Sequence, residues 1–222
     1  MTASGIAVTE FGVADPADAW AAAGFTVGPD DVCRVGGVGI RLVGRDRGLG
    51  IVGWSLRGLP DDWGDDLDGI PTATTDADVA APGPAHANGI VAIDHVVLLS
   101  PDLGRTVTAL AAAGAAPRRE RDGRLGGRPM RQVFFRFGEV IVEVVGSPEE
   151  SNPGPATLWG LTYVVDDVDA SAALFGDRAS PVKDAVQPGR RITTLRHRDL
   201  GLSVRTALIS PHPRSSTAPA SR

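Results

Sequence analysis

The stretch that decides the fold reads IVAIDHVVLLSPDLGRTVTALAAAG, residues 90–114. Its first ten residues are aliphatic except for Asp94 and His95, which predicts a strand that is buried on both faces. The Ser-Pro-Asp sequence that ends at Asp102 supplies a turn and a candidate helix N-cap, and Gly114 is a typical residue to end that helix. The stretch therefore predicts a strand, a tight turn and a helix, in that order.

Three further strands are predicted after this helix, at residues 118–121, 132–137 and 139–145. The last two are joined at Gly138, which is typical of a tight hairpin. The unit therefore has the order βαβββ, which belongs to the α+β class.

The chain repeats this unit. A segment that starts with glycine and closes on proline ten residues later occurs three times, and an acidic turn followed by an Ala-rich stretch precedes each copy. The separations from the turn aspartate to the closing proline are 45, 46 and 44 residues. We therefore predict three related modules, at residues 6–60, 91–148 and 157–211, the first of them degenerate.

Two segments lie outside the predicted modules. Residues 61–89 hold seven aspartates and then Ala-Ala-Pro-Gly-Pro, a composition typical of a solvated linker. An acidic cation-binding loop is the alternative, although the carboxylates lack the spacing of a calcium loop. Residues 212–222 are rich in Pro, Ser and Ala and are predicted to be a disordered tail.

Composition excludes several classes of function. The chain has 222 residues, of which 42% are apolar and 22% charged, as in a globular protein. A net charge of −5 and the absence of a basic stripe argue against nucleic acid as a partner. No apolar run approaches the roughly 20 residues of a membrane span, and no secretory signal is visible, which predicts a cytoplasmic protein. The single cysteine, Cys33, cannot form an internal disulfide.

The middle module opens with Ile-Asp-His-Val-Val-Leu at 93–98, turns at Pro-Asp-Leu at 101–103 and closes with Val-Glu-Val at 142–144. In these features it resembles the vicinal oxygen chelate superfamily, which contains glyoxalase I, extradiol dioxygenases and bleomycin-resistance proteins. The resemblance implies repeated βαβββ modules that form curved mixed sheets, a glyoxalase-like half-barrel cup. It also implies a divalent metal, such as Zn, Ni, Mn or Fe, that takes ligands from the first and last strands of each module.

When the family's ligand positions are carried over by register, they fall on His95 and Glu143 in the middle module. The same counts in the other modules reach residues that cannot replace these ligands: Gly160, Thr206, Val8 and Ser55. The resemblance therefore implies a metal site with an incomplete ligand set, because a catalytic divalent ion generally needs three protein ligands. Glu143 is a candidate both for a metal ligand and for a catalytic base. For His95, a core histidine that bonds to the backbone stays open.

Glu143 lies in an apolar strand, where an unpaired carboxylate would cost several kcal/mol or take up a proton. Its partner is expected to be a metal shared with His95, a protonated His95, or an arginine. The candidate arginines are Arg131, Arg136 and Arg205, of which Arg131 and Arg205 are also predicted to line the pocket.

Four other residues were weighed for a place in the site. Trp159 and Tyr163 lie on the first predicted strand of the third module, and we expect one to pack and the other to line a pocket. The sequence does not say which. His197 is a third-ligand candidate but is expected at the surface, and His86 is expected to be solvated in the linker.

Two functions remain open. One is a metal-assisted lyase, isomerase or dioxygenase that acts on a small oxygen-bearing substrate. The other is a metal-free protein that binds or sequesters a small molecule, with Glu143 pairing a cationic ligand. Modules two and three are expected to form the main cup. The odd module then pairs with a second chain in a homodimer, or packs on the outside of a monomer.

Overall fold

The computed structural model describes residues 5–77, 81 and 83–213. Within them the chain forms two mixed sheets and three short α-helices, none of which is long and apolar enough to cross a bilayer. The elements before residue 80 are β1 (Ala7–Val13), α1 (Ala17–Ala22), β2 (Val32–Val35), β3 (Val38–Leu42), β4 (Ile51–Arg57), β5 (Asp66–Leu67) and β6 (Ile70–Thr74). Those after it are β7 (Ile90–Leu99), α2 (Leu103–Ala112), β8 (Arg119–Leu125), β9 (Arg128–Phe137), β10 (Val140–Gly146), β11 (Thr157–Val165), α3 (Val168–Phe175), β12 (Lys183–Asp184), β13 (Arg191–Thr194) and β14 (Arg205–Ile209).

The C-terminal sheet has eight strands in the order β12-β13-β14-β11-β7-β10-β9-β8. Strands β7 and β11 pair antiparallel at its centre, and each pairs in parallel with the last strand of its own module. The sheet curls into a half-barrel. The predicted α+β class and the βαβββ repeat are thus confirmed.

Two of the three turn aspartates cap helices. The Asp102 carboxylate accepts a hydrogen bond from the Arg105 backbone N–H at 2.9 Å, and Asp167 accepts from two backbone N–H groups at the start of α3. Asp15 behaves differently, because the N-cap of α1 is Pro16 and the Asp15 side chain is fully buried. A side-chain acceptor at the N-cap is worth about 1 kcal/mol, so it helps to set where α2 and α3 begin.

The N-terminal sheet has six strands in the order β2-β3-β1-β4-β6-β5. Strand β1 pairs in parallel with β3 and antiparallel with β4, and β4 pairs in parallel with β6. This is the pairing pattern of β10, β7, β11 and β14 in the other sheet. Strand β4 therefore occupies the position that the first strand of a module, β11, occupies in the other sheet. The sequence analysis aligned residues 50–60 with the last strands of the other two modules, and that alignment is wrong.

The predicted linker is consequently also wrong in large part. Its residues form β5 and β6, which extend the N-terminal sheet and complete a shortened module that passes from β4 to β5 without a helix. The Asp68 carboxylate accepts hydrogen bonds from Arg105 and Thr106 of α2, and Asn88 is buried. Asp68 thus serves folding, which composition alone does not reveal.

Each sheet therefore holds two paired modules, and this removes the argument for a homodimer. Both edges of β1 are already paired within the chain, by β3 and β4. A homodimer through the first module stays a prediction. The reason given for it, a module without a partner in its own chain, no longer applies.

The core lies between the two sheets and beneath the helices. Trp54 of β4 stacks on Phe137 of β9 with ring centroids 5.8 Å apart, and Phe25 meets Tyr163 of β11 edge-on at 5.6 Å. The face of the eight-stranded sheet that carries Phe137 is therefore the core face. We call its opposite the cup face.

Candidate functional site

Strand periodicity places His95 and Glu143 on the cup face. Their neighbours Val96, Val142 and Val144 are fully buried on the core face, and successive side chains of a strand point to opposite faces. Strands β7 and β10 are paired neighbours, with Glu143 opposite Val97. The structure therefore brings the two residues together on adjacent strands.

The His95 ring is held by its sequence neighbour. Its Nδ1 lies 2.8 Å from Oδ2 of Asp94, a residue that the β7–β11 register skips. Oδ1 of Asp94 accepts a hydrogen bond from Nη1 of Arg190 at 2.6 Å, and the Arg190 side chain is 1% exposed. Burial alone raises the pKa of Asp94, but hydrogen bonds and charge from His95 and Arg190 outweigh it and lower that pKa. Asp94 is therefore ionised at neutral pH and Nδ1 of His95 donates to it, so Nε2 is the nitrogen of the ring that can accept or release a second proton.

A second chain of hydrogen bonds holds Glu143. Arg121 Nε donates to Gln132 Oε1 at 2.7 Å, and Gln132 Nε2 donates to Glu143 Oε1. Because the arginine can only donate, it fixes which end of the Gln132 amide meets the carboxylate. Glu143 is thus bound as an acceptor, and its second oxygen is left to face His95.

The two chains meet across a short gap. His95 Nε2 lies 3.6 Å from Glu143 Oε2, and each side chain is 13% exposed. This separation exceeds a normal hydrogen bond, and both atoms are acceptors until one takes up a proton. The arrangement suits a pair that shares one proton, or the end of a ligand that supplies one.

Comparison with known proteins identifies the fold. No model of a known protein family matches the sequence, and no curated protein matches it. Among solved structures, a mutant of 4-hydroxymandelate synthase from Streptomyces coelicolor is similar, with a TM-score of 0.62, 18% identity, and coverage of 93% of this chain and 92% of that chain. A xylose isomerase-like TIM barrel/4-hydroxyphenylpyruvate dioxygenase fusion protein gives a TM-score of 0.59 at 13% identity and covers 99% of this chain and 50% of that chain. Both are members of the vicinal oxygen chelate superfamily.

The chain has the vicinal oxygen chelate fold. The resemblance drawn from the middle module is thereby confirmed. At such low identity the likeness establishes the fold alone, and the chemistry must be argued from the residues.

In this vicinal oxygen chelate cup the residues present do not fit a resident metal ion. The spacing of His95 Nε2 and Glu143 Oε2, 3.6 Å, would allow both atoms to lie about 2.1 Å from one ion. What is missing is a third ligand, because the equivalent positions of the third module carry none. The antiparallel pairing of β7 and β11 is symmetric about the pair Val96–Leu161. His95 comes one residue before Val96 and Gly160 one residue before Leu161, so Gly160 is the equivalent of His95. Glu143 lies opposite Val97, and Ala207 lies opposite Thr162, so Ala207 is equivalent to Glu143.

Neither Gly160 nor Ala207 has a side chain that can bind metal. The predicted equivalent Thr206 is wrong by one residue, because it pairs with Leu161 and is buried on the core face. Throughout the described ranges, no group of three His, Cys, Asp or Glu side chains is placed to hold an ion. Two donors fall short of the three that a catalytic divalent site needs.

Two predicted pocket residues lie elsewhere. Tyr163 is fully buried against Phe25 in the core, so it is the residue of the Trp159–Tyr163 pair that packs, and its assignment to a pocket is wrong. Arg131 shares the core-side register of Val133 and pairs with Asp122 at 2.7 Å. It lines a separate cavity beside α2 and does not share the face of Glu143, so it is not the partner of that carboxylate.

Two other predicted pocket residues do lie on the cup face. Arg205 pairs with Gly160, which pairs with Val97, so the Arg205 side chain shares the face of Glu143. Its guanidinium lies 4.6 Å from the centroid of the Trp159 ring, and Trp159 is 43% exposed. A role for them in the site is taken up below.

The remaining titratable candidates do not join the site. His86 is buried; its Nδ1 accepts from the Thr26 backbone N–H at 3.0 Å and its Nε2 lies 3.0 Å from the Arg34 carbonyl, so its expected solvation is wrong. His197 is half-buried in a short 3-10 helix. His212 approaches Arg190, and residues 214–222 of the predicted tail lie outside the described residues.

The sequence analysis missed three residues that hold the site: Arg121, Gln132 and Arg190. Gln132 could have been found from strand alternation. Phe134 lies opposite Glu143 in the β9–β10 hairpin, and Gln132, two residues earlier in β9, points to the same face. Arg190 carries no such signal. It comes from the turn between β12 and β13, far along the chain from Asp94.

Proposed function

We propose that this chain is an enzyme that moves a proton on a small oxygen-bearing substrate held in the cup, as an isomerase or a lyase. The acid–base pair is His95 and Glu143. One observation carries the proposal: two proton acceptors face each other across 3.6 Å, and each is held by its own hydrogen-bond chain that ends in an arginine.

The chemistry follows from one proton shared by the pair. With the proton on His95 Nε2, the Glu143 carboxylate takes a proton from a carbon next to a carbonyl while His95 gives its proton to the carbonyl oxygen. The product is an enol, and the pair again holds one proton. If the deprotonated carbon carries a hydroxyl, the enol is an enediol, and return of the proton from Glu143 to the former carbonyl carbon, while the other hydroxyl gives its proton back to His95, yields an isomer. If the next carbon carries a leaving group, the enol gives its O–H proton back to His95 and re-forms the carbonyl as that group departs with its bonding electrons and takes the proton from Glu143, which yields a lyase product. General acid–base catalysis of this kind contributes about 10²- to 10⁴-fold in rate.

The surroundings favour this use of the two groups. The Asp94 carboxylate, itself held by Arg190, accepts from Nδ1 of His95 and thereby orients the ring and favours a proton on it. Val97 and Phe134 flank Glu143 in the sheet and make the floor beneath a substrate apolar. Electrostatic interactions are stronger in such a site than in water.

A metal-free binding protein is the second candidate. The equivalent positions in the third module, Gly160 and Ala207, present no catalytic side chain to a ligand. In this alternative Glu143 hydrogen-bonds or ion-pairs a cationic ligand and no bond of the ligand changes.

Proton exchange in deuterated water separates the two candidates. The protein is incubated with a panel of small ketones, aldehydes and carboxylic acids, and exchange of the carbon-bound hydrogen next to the carbonyl is followed by NMR. We expect wild-type protein to catalyse exchange, and His95→Gln and Glu143→Gln to lower the rate by about 10²-fold or more. The exposed Glu150→Gln is the matched control and should keep the wild-type rate. Binding of a panel member without exchange would instead establish the second candidate.

Elemental analysis tests the metal conclusion. We expect protein purified without added metal to contain the same trace amounts as His95→Ala and Glu143→Ala. Near-stoichiometric Zn, Ni, Mn or Fe that is lost in both variants would show that substrate or solvent completes a metal site here.

A further inference from the structure

A single row of paired residues crosses the cup face through Glu143. Each member lies opposite the next on the neighbouring strand, so their side chains share the cup face. From β14 to β8 the row consists of Arg205, Gly160, Val97, Glu143, Phe134 and Arg119. The acid–base site thus lies in the middle of a row that ends in a cation on each side.

The Arg205 end of the row is built around an unpaired charge. Within the described residues its guanidinium has neither an ion-pair nor a hydrogen-bond partner, and its one close contact is the face of Trp159 at 4.6 Å. Trp159 is itself 43% exposed at a bulge of β11. A guanidinium laid on an indole is held flat, and its forked N–H edge is left free to bind an anion.

The floor between this cation and the acid–base pair is bare and apolar. A Cβ on Gly160 would lie 2.7 Å from the Arg205 carbonyl oxygen, so only glycine fits there and no side chain rises beside Arg205. Val97 comes next in the row, before Glu143. Three strand spacings separate Arg205 from Glu143, about 14 Å along the sheet backbone. The two long side chains shorten this span to the length of a small organic molecule.

Both ends of the row carry an arginine, and the two ends differ in their surroundings. His197 lies close to Arg205, and burial first, then the charges of Arg205 and Arg198, lower the pKa of His197, so that ring adds no positive charge at neutral pH. At the other end of the row, Arg119 stands 5.6 Å from the Phe134 centroid on edge strand β8, and the neighbouring Glu120 and Asp122 face the opposite side, where they pair with Arg131. The Arg205 end is therefore distinguished by its exposed indole and by the bare Gly160 beside it.

We propose that Arg205, laid on Trp159, binds the carboxylate of the substrate, so that the enzyme acts on a small carboxylic acid with an apolar body. This inference rests on the proposed proton transfer at His95 and Glu143. A planar carboxylate matches one guanidinium with two parallel hydrogen bonds, whereas a doubly charged phosphate is better served by several cations. The apolar body of the substrate covers Gly160 and Val97 and brings its reactive carbon over Glu143.

Calorimetry with simple probes tests the anion site. The probes are benzoate and 3-phenylpropanoate, their uncharged amides, and phenylphosphonate. We expect the two carboxylates to bind more tightly than the amides and the phosphonate. Arg205→Gln should raise the Kd of 3-phenylpropanoate about tenfold or more, since a hydrogen bond to a charged group contributes about 1.5–3 kcal/mol. Arg205→Lys should retain part of the affinity, and Trp159→Leu should weaken binding by freeing the guanidinium.

Arg119→Gln is the matched control, because it removes an arginine above an aromatic ring on the same face. Its Kd should equal that of wild type. Equal binding of acids and amides, tighter binding of the phosphonate, or a loss of affinity in Arg119→Gln as large as in Arg205→Gln would overturn the proposal.

The same variants separate this proposal from the proposed function. Glu143→Gln should abolish proton exchange while leaving Arg205-dependent binding of 3-phenylpropanoate in place. Carboxylate binding that depends on Arg205 without any exchange would uphold the anion site and refute the reaction. Exchange that is as fast on neutral ketones as on keto acids would uphold the reaction and refute the anion site.

Discussion

Asp15 should be one of the largest single contributors to stability outside the apolar core. Its side chain is fully buried and accepts hydrogen bonds from Trp20 Nε1 at 3.1 Å and from the Ser203 backbone N–H at 2.9 Å. It also pairs with Arg45 at 3.0 Å. Because Ser203 lies two residues before β14, this one carboxylate ties the first turn of the N-terminal sheet to the C-terminal sheet.

The magnitude follows from what is left unpaired. Asp15→Ala leaves the buried Trp20 N–H and the partly buried Ser203 N–H without an acceptor, at up to about 1–3 kcal/mol each. Arg45 is 43% exposed and can turn to water, so its pair adds at most about 1 kcal/mol. We expect a loss of about 3–5 kcal/mol in the free energy of unfolding, which lowers Tm by about 10 °C in a chain of this size. Asp15→Asn keeps one acceptor oxygen and should cost about half as much.

Urea denaturation followed by circular dichroism measures these free energies. The control is Asp18→Ala, because Asp18 is exposed and bonds only to the neighbouring Ala19 backbone N–H at 2.8 Å; it should cost less than about 1 kcal/mol. A double-mutant cycle with Arg45→Met should give a coupling energy below about 1 kcal/mol. The reasoning fails if Asp15→Ala costs no more than Asp18→Ala, or if Asp15→Asn is as destabilising as Asp15→Ala.

Three further predictions follow from buried polar groups. Burial lowers the pKa of His86, so the unfolded chain binds more protons, and the free energy of unfolding should fall as pH drops below about 6.5; urea titrations from pH 8 to 5 should show a smaller fall in His86→Gln. Arg190→Met leaves the Asp94 carboxylate with a lost partner and should cost about 3–5 kcal/mol, and adding Asp94→Leu should recover most of it in the same assay. Asp68→Ala removes the acceptor of the Arg105 side chain and should increase amide hydrogen exchange in β5 and β6 while α3 stays protected.

Local sequence patterns were sufficient to predict most strands and helices of the C-terminal half. The aliphatic run at residues 90–99 forms a strand, and Asp102 and Asp167 cap the helices that follow. Hydrophobic patterning and helix capping involve residues that are close together in the chain. They can therefore be recognised in the sequence. The resemblance to the vicinal oxygen chelate superfamily, carried over by register, was what paired His95 with Glu143, and the structure brings the two side chains together.

The N-terminal half shows where such reasoning stops. The spacing from Gly50 to Pro60 matches the later modules, yet β4 pairs antiparallel with β1 as a first strand would. Strand order depends on which distant segments meet, and spacing along the chain carries little information about that. For the same reason Asp15, at the position of a cap, instead turns inward to the Ser203 backbone.

The sequence by itself determined the repeated strand–helix–strand units and the caps of α2 and α3, because each depends on interactions over a few residues. Only the tertiary structure decided what those side chains touch. Arg190, Gln132 and Arg205 come from other strands and turns, and the strand pairing alone brings them to the site. It also placed Ala207, rather than Thr206, at the position equivalent to Glu143.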